Sequence, residues 1–250
     1  QFFIQIWAIN RIGLLRFNSN FNSFIKEEKR IFNLILPACI SSGLGQINVY
    51  VDMFFASSFQ GAASGLAYGN FLIQAPLGIL SNSLILPLLT KFSKLKADKK
   101  YVKLGKNLTI GIEYCFLTTI FLTAFFITFN NQIVQLAFQR GAFDFNAVNE
   151  VRTILIAYSI GIPFYLYRDL LVRTYYSIEK TKLPFKLSLF GILLNIFFDW
   201  FLIRVLAPYN FEVEGIILSS AAVNFIICCV LSINLKNHNL YLPFPLLLVK

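Results

Sequence analysis

Six apolar runs, near 34–57, 66–90, 107–129, 153–174, 183–206 and 214–235, dominate the chain. Each is long enough to cross a bilayer as a helix, which takes about 20 residues at a rise of about 1.5 Å. Charged residues make up only 14% of the sequence, against about a quarter in a soluble domain. Inside hydrocarbon a backbone must satisfy its own N–H and C=O groups, which leaves helices for runs of this length. The predicted fold is therefore an all-α integral membrane bundle of six transmembrane helices.

The flanks differ from the runs. Residues 1–15 read as the tail of an earlier helix, so 1–30 is that tail plus a loop. Residues 31–236 form the six-helix unit, and 237–250 a loop with the start of a further helix. Both ends fall inside apolar stretches, so the chain reads as a fragment of a longer one.

Loop charge sets the orientation. Residues 16–30 carry Arg16, Lys26, Lys29 and Arg30, and the loop after the second run carries seven lysines from Lys91 to Lys106. The loop after the fourth run holds Lys180, Lys182 and Lys186. The alternate loops are poor in Lys and Arg: 58–65 has no charge, 130–150 holds Arg140, Asp144 and Glu150, and 207–213 holds only Glu212. Lys/Arg excess marks the cytoplasmic side, so the first, third and fifth helices run outward. The same distribution accounts for the net charge of +10 without nucleic acid as a partner. Cys39, Cys115, Cys228 and Cys229 lie in apolar runs without metal-ligand spacing and read as small hydrophobes. His238 stands in a polar loop with no second His to join it.

Against this background the polar residues inside the runs stand out. Asn195 and Asp199 lie one helical turn apart in "GILLNIFFDWFLIRVLAPY", on one face because i and i+4 stack. Asp52 and Ser220 fall at a similar depth in the first and sixth runs, roughly 10 Å below the outer surface at 1.5 Å per residue. A carboxylate facing lipid there costs several kcal/mol, so each Asp should face protein or water. Two neighbouring carboxylates need a counter-charge. Arg204 is nearest but sits at the interface, where it snorkels. A bound cation or a shared proton would serve, and carboxylates, an amide oxygen and a hydroxyl are hard ligands suited to an alkali or alkaline-earth ion. The competing reading is separate polar contacts that each hold a helix pair.

Other polar groups form a second set. Asn70, Gln74, Gly78 and Ser81 make a stripe at helical spacing in the second run, with Asn82 beside it. It fits a cavity lining or a small-residue helix interface. Arg168, Asp169 and Arg173 lie toward the cytoplasmic end of the fourth run. They either pair among themselves or meet an anionic headgroup, since the Arg fork matches phosphate oxygens. Glu113 reads as a snorkelling residue. Pro37, Pro76, Pro87 and Pro163 each remove a backbone donor from a run, giving kinks or cavity-lining carbonyls. No His/Asp/Ser constellation, Gly-rich phosphate loop or His/Cys metal cluster argues for an enzyme.

Three stretches carry a family resemblance. "LAFQRGAFDFNAVNEVRTILIAYSIGIP" (136–163) resembles the outward loop and following helix of the MurJ/MviN lipid II flippases. "TYYSIEKTKLPFKLSL" (174–189) resembles that family's Tyr-rich turn ending in Thr-x-Pro and a basic residue. "SGLAYGNFLIQAPLGILSNSLILPLLTKFSK" (64–94) resembles its eighth helix. The family belongs to the multidrug/oligosaccharidyl-lipid/polysaccharide exporter superfamily, with two six-helix lobes and, in this branch, two extra helices. The resemblance implies that the six runs are helices seven to twelve, the second lobe of a two-lobe transporter, with the first lobe missing. It implies transport of undecaprenyl-pyrophosphate-linked lipid II across the cytoplasmic membrane by alternating access, with the bilayer as surroundings. It implies a sodium site at Asp52, Asn195 and Asp199, completed by Ser220 and by the carbonyl of Ile216, and no other cofactor. Asn70, Gln74, Ser81, Arg168 and Arg173 are the candidates for lining the substrate cavity. One departure is that Phe71 in "YGNFL" stands where the family often has an Arg in Tyr-Ala-Asp-Arg-Leu. The rival readings are an exporter of drugs or of another lipid-linked oligosaccharide, and a membrane scaffold that transports nothing.

Overall fold

The computed structural model describes Trp7, Arg11, and residues 21–141, 143–209 and 211–236. The expected tail of an earlier helix at 1–15, His238, and the expected further helix at 240–250 lie outside the described residues, apart from Trp7 and Arg11. The chain divides into two compact units, Gln1–Leu36 and Pro37–Lys250, and the packing below belongs to the second.

The described chain is helical throughout its long elements. They are α1 (Phe21–Ala56), α2 (Ala62–Leu80), α3 (Leu86–Ala97), α4 (Tyr101–Phe138), α5 (Phe145–Ser177), α6 (Lys182–Leu206) and α7 (Glu212–Lys236). A π-helical turn, Ser81–Ile85, joins α2 to α3, so the two form one rod over Ala62–Ala97. That rod and α4 to α7 give five helices long and apolar enough to cross a membrane among the described residues. The first predicted run, 34–57, falls on α1.

Helix ends follow local chemistry. Asp144 caps α5, accepting from the Ala147 N–H at 2.9 Å, which satisfies one orphan donor of the first turn. Gly61 precedes α2 with φ 79°, a backbone suited to glycine. Helix α4 differs from the expected span at 107–129: it continues to Phe138 past a kink at Phe129, where φ is −104° and ψ 18°. The predicted loop at 130–150 is therefore mostly helix, because "NNQIVQLAF" still presents apolar residues that pack inward, Val134 among them. Pro76 lies inside α2, and Pro87 opens α3 just after the π turn. There the Leu86 N–H reaches the Ser81 carbonyl, five residues back, as a π turn requires.

Helix α5 is the hub: it packs against the α2–α3 rod, α4 and α7, and α7 packs in turn on α6. Lipid is as apolar as leucine, so close backbone approach holds such helices together. Gly65 and Gly69 of α2 show this. A Cβ on either would stand 2.7 or 2.6 Å from Ile154 of α5. One core cluster joins Ile85, Phe92, Leu108, Ile112, Leu170, Tyr175 and Leu231. Outward, large apolar side chains are bare, with Phe121 79% exposed, while Asn195 and Asp199 are 0% exposed. Grease outside and polar groups inside is the arrangement a bilayer favours. Glu113 is exposed, as a snorkelling residue would be, and so is Cys39, whereas Cys115 and Cys228 are buried.

Candidate functional site

The deepest polar cluster is built by three helices. Asn195 and Asp199 share the inward face of α6, while Phe197, Trp200 and Phe201 turn outward. The Asn195 amide donates to Asp52 Oδ1 of α1 at 2.5 Å and to Asp199 Oδ2 at 3.2 Å. From α7, the Ser220 hydroxyl lies 2.9 Å from Asp52 Oδ2 and 3.0 Å from Asn195 Oδ1. Ser219 donates to Asp199 Oδ1, and its hydroxyl lies 2.8 Å from the Ile216 carbonyl. Asp52, Asn195, Asp199 and Ser220, picked out in the sequence by depth, are thus one hydrogen-bonded group. Ile216 belongs to it through its carbonyl, by way of Ser219.

Both carboxylates meet one amide, and among the described residues neither makes an ion pair with a Lys or Arg. Arg204 instead lies over the Trp200 ring, 4.0 Å from its centroid, a cation–π contact at the helix end. Among the described residues no group of three or more His, Cys, Asp or Glu gathers as a metal cluster. The oxygens present are carboxylate, amide, hydroxyl and carbonyl, a set that fits a hard cation and not a soft one.

The second predicted set borders the first. A cavity of about 80 Å³ is lined by Asp52, Asn70, Gln74, Tyr158 and Tyr165 among others. A second, of about 370 Å³, is lined by Gln74, Ser81, Asn82, Tyr165, Asp169 and Arg173. A third, of about 390 Å³, is lined by Gly45, Tyr165, Arg168, Arg173, Tyr176 and Ser188 among others. Shared walls link them, and Tyr165 lines all three. The stripe of Asn70, Gln74, Gly78 and Ser81 is therefore a cavity lining, while Gly65 and Gly69 make the contact with α5. Arg173 Nε donates to Asp169 Oδ1 at 2.7 Å, and Ser81 donates to Asp169 Oδ2 at 2.6 Å. Arg168 does not join that pair. Its Nη1 donates to Asn224 Oδ1 of α7 at 2.9 Å.

Sequence reasoning missed Ser219, Asn224 and Tyr165. Ser219 shares its depth with Ser220, but depth carries no rotation about the helix axis. Asn224 follows Ser220 by one turn, and its amide donates to the Ser220 carbonyl at 2.7 Å. That i+4 spacing was the available signal for it. Tyr165 had none, because one aromatic among many in an apolar run is unremarkable.

Fold and site together define a class: an all-α integral membrane lobe with a polar, cavity-bearing interior, of the kind found in two-lobe transporters. Solved structures agree. The chain superimposes on a lipid II flippase MurJ in an inward-closed conformation with TM-score 0.70 and 27% identity, covering 85% of this chain and 44% of that one. An outward-facing multidrug MATE transporter matches with TM-score 0.72 and 13% identity, over 90% and 49%, which is a likeness of fold. The model of the family described as lipid II flippase MurJ matches residues 1–249, and the chain belongs to that family. A probable lipid II flippase MurJ of Synechocystis is 37% identical over 224 residues, 90% of this chain and 41% of that protein. A counterpart from Rickettsia prowazekii is 28% identical over 181 residues, 72% of this chain and 36% of that protein. The chain thus spans about two fifths of the relatives it matches.

Proposed function

We propose that this chain is the C-terminal lobe of a sodium-coupled flippase that carries undecaprenyl-pyrophosphate-linked lipid II across the cytoplasmic membrane. It is a multi-pass transporter part and not an enzyme. It works with a first lobe of the same polypeptide, the two rocking about a central cavity in alternating access. Asp52, Asn195, Asp199, Ser219 and Ser220 hold the ion, with the Ile216 carbonyl as a further oxygen. Sodium supplies the positive charge that the buried carboxylates lack. Asn70, Gln74, Ser81 and Arg173 line the path of the headgroup.

The observation that carries the reading is the meeting of Asp52 and Asp199, from two helices, on one Asn195 amide. A ligand shifts an equilibrium only by its differential affinity for two states. A site drawn from α1, α6 and α7 is whole only while those helices keep this spacing, so occupancy favours that arrangement.

The test uses the full-length protein in proteoliposomes, with lipid II transport followed across a sodium titration. Transport should rise with sodium in the unmodified protein and lose that dependence in Asp199→Ala. A wild-type rate flat in sodium rejects sodium coupling, and a rate that then follows a pH gradient assigns the carboxylates to a proton.

A further inference from the structure

Arg168 is a further charge in the interior of the lobe, apart from the acidic cluster and from the Asp169–Arg173 pair. Among the described residues it makes no ion pair, since the adjacent Asp169 is taken by Arg173 and Ser81. Its Nη1 is committed to Asn224, while its Nε is buried and has no hydrogen-bond partner. Burying a guanidinium without a counter-ion is costly. Arginine does not escape that cost by losing its proton. The group lines the cavity of about 390 Å³ together with Asp169, Arg173, Tyr165 and Tyr176. That volume is within the roughly 300–1,000 Å³ of ligand pockets. With Asp169 cancelling Arg173, the wall carries one uncompensated positive charge.

We propose that this cavity is an oxyanion site for a phosphate or diphosphate group, with Arg168 as its principal ligand and Arg173 beside it. The Nε edge of a guanidinium forms the fork that matches two phosphate oxygens. Here Asn224 holds Nη1 on the other side of the group, and the buried Nε has no hydrogen-bond partner. Asn224 also ties the site to the acidic cluster. Arg168 donates to Asn224, Asn224 to the Ser220 carbonyl, and the Ser220 hydroxyl meets Asp52 and Asn195. A cation at the carboxylates and an anion at Arg168 therefore favour one another, and such coupling is reciprocal. The coupling rests on the sodium reading above, whereas the anion site does not.

The experiment uses the full-length protein in phosphatidylcholine nanodiscs. Labelled inorganic pyrophosphate is bound from solution and, separately, a long-chain prenyl diphosphate is placed in the disc, first in sodium-free choline buffer. Arg168→Gln should weaken binding of at least one probe about tenfold or more, the worth of charged hydrogen bonds. Arg204→Gln, remote from the cavity, should leave it unchanged. Loss seen with inorganic pyrophosphate identifies a free anion as sufficient, and loss confined to the prenyl probe identifies a lipid headgroup. Wild-type affinity of Arg168→Gln for both probes overturns the site. If that variant does not accumulate, Arg168→Lys decides. It keeps the charge without the fork, so weakened binding supports the site and unchanged binding overturns it. Sodium should then tighten binding in the wild type, and in Asn224→Ala the ratio of affinities with and without sodium should fall toward one. Arg168-dependent binding that ignores sodium overturns the coupling and leaves the anion site standing.

Discussion

Asn195 donates to Asp52 across 2.5 Å, joining α6 to α1 between residues 143 positions apart. The same amide reaches Asp199 one turn along its own helix. One side chain thus holds two buried carboxylates at a fixed separation, and its loss has a calculable effect. Asn195→Ala removes both donated bonds and leaves Asp52 and Asp199 facing each other. The cost should be about 1–3 kcal/mol, read as a lowered melting temperature of the full-length protein in detergent. A cycle with Asp52→Asn should give an interaction energy of about 0.5–3 kcal/mol. Additivity of the two substitutions would contradict the contact.

Gly69→Ala tests the seam between α2 and α5. The added Cβ meets Ile154 at 2.6 Å and Tyr158 at 3.2 Å, an overpacking expected to cost about 1–3 kcal/mol. Ile154→Val should not recover this loss, because valine keeps the Cγ2 methyl met at Gly69, but it should recover part of the loss in Gly65→Ala, where the added Cβ meets Ile154 Cδ1 at 2.7 Å. Gly78→Ala, with nothing within 4 Å of its Cβ, should be tolerated.

The Asp169–Arg173 pair has side chains 33% and 30% exposed, so solvent screens it. Its double-mutant cycle should give about 0.3–1 kcal/mol in stability. Ser81 donates to Asp169 Oδ2 and accepts from Arg173 Nη2 at 3.2 Å, so Ser81→Ala should lower that coupling energy without unfolding the lobe. An unchanged coupling would show that the π turn does not position the pair.

Asp144→Ala removes the cap of α5 and should cost about 1 kcal/mol. The loss should be local: hydrogen exchange at residues 145–148 should quicken, while the buried middle of α5 keeps its protection. Asp144→Asn, which retains an acceptor oxygen, should restore most of it.

Much of this was legible beforehand, and the reasons differ from element to element. The six runs are read from length and hydropathy, properties of contiguous residues, and helices occupy each of them. Asn195 and Asp199 share a face because i and i+4 do so on any helix. Asp52 and Ser220 were found by depth alone, since rise per residue converts sequence position into height. The extension of α4 past Phe129 was not legible, because mixed polarity in "FNNQIVQLAF" hides an inward Val134.

The sequence by itself determined the all-α membrane class, the runs that are helical, and the position of each polar group along its own helix. Only the tertiary structure decided azimuth: that Ser219 turns to Asp199, that Asn224 ties Arg168 to Ser220, and that Tyr165 lines three cavities. Height follows from a fixed rise along one chain. Azimuth advances about 100° with each residue and acquires meaning only against a neighbouring helix, so it exists nowhere in the sequence until the helices pack.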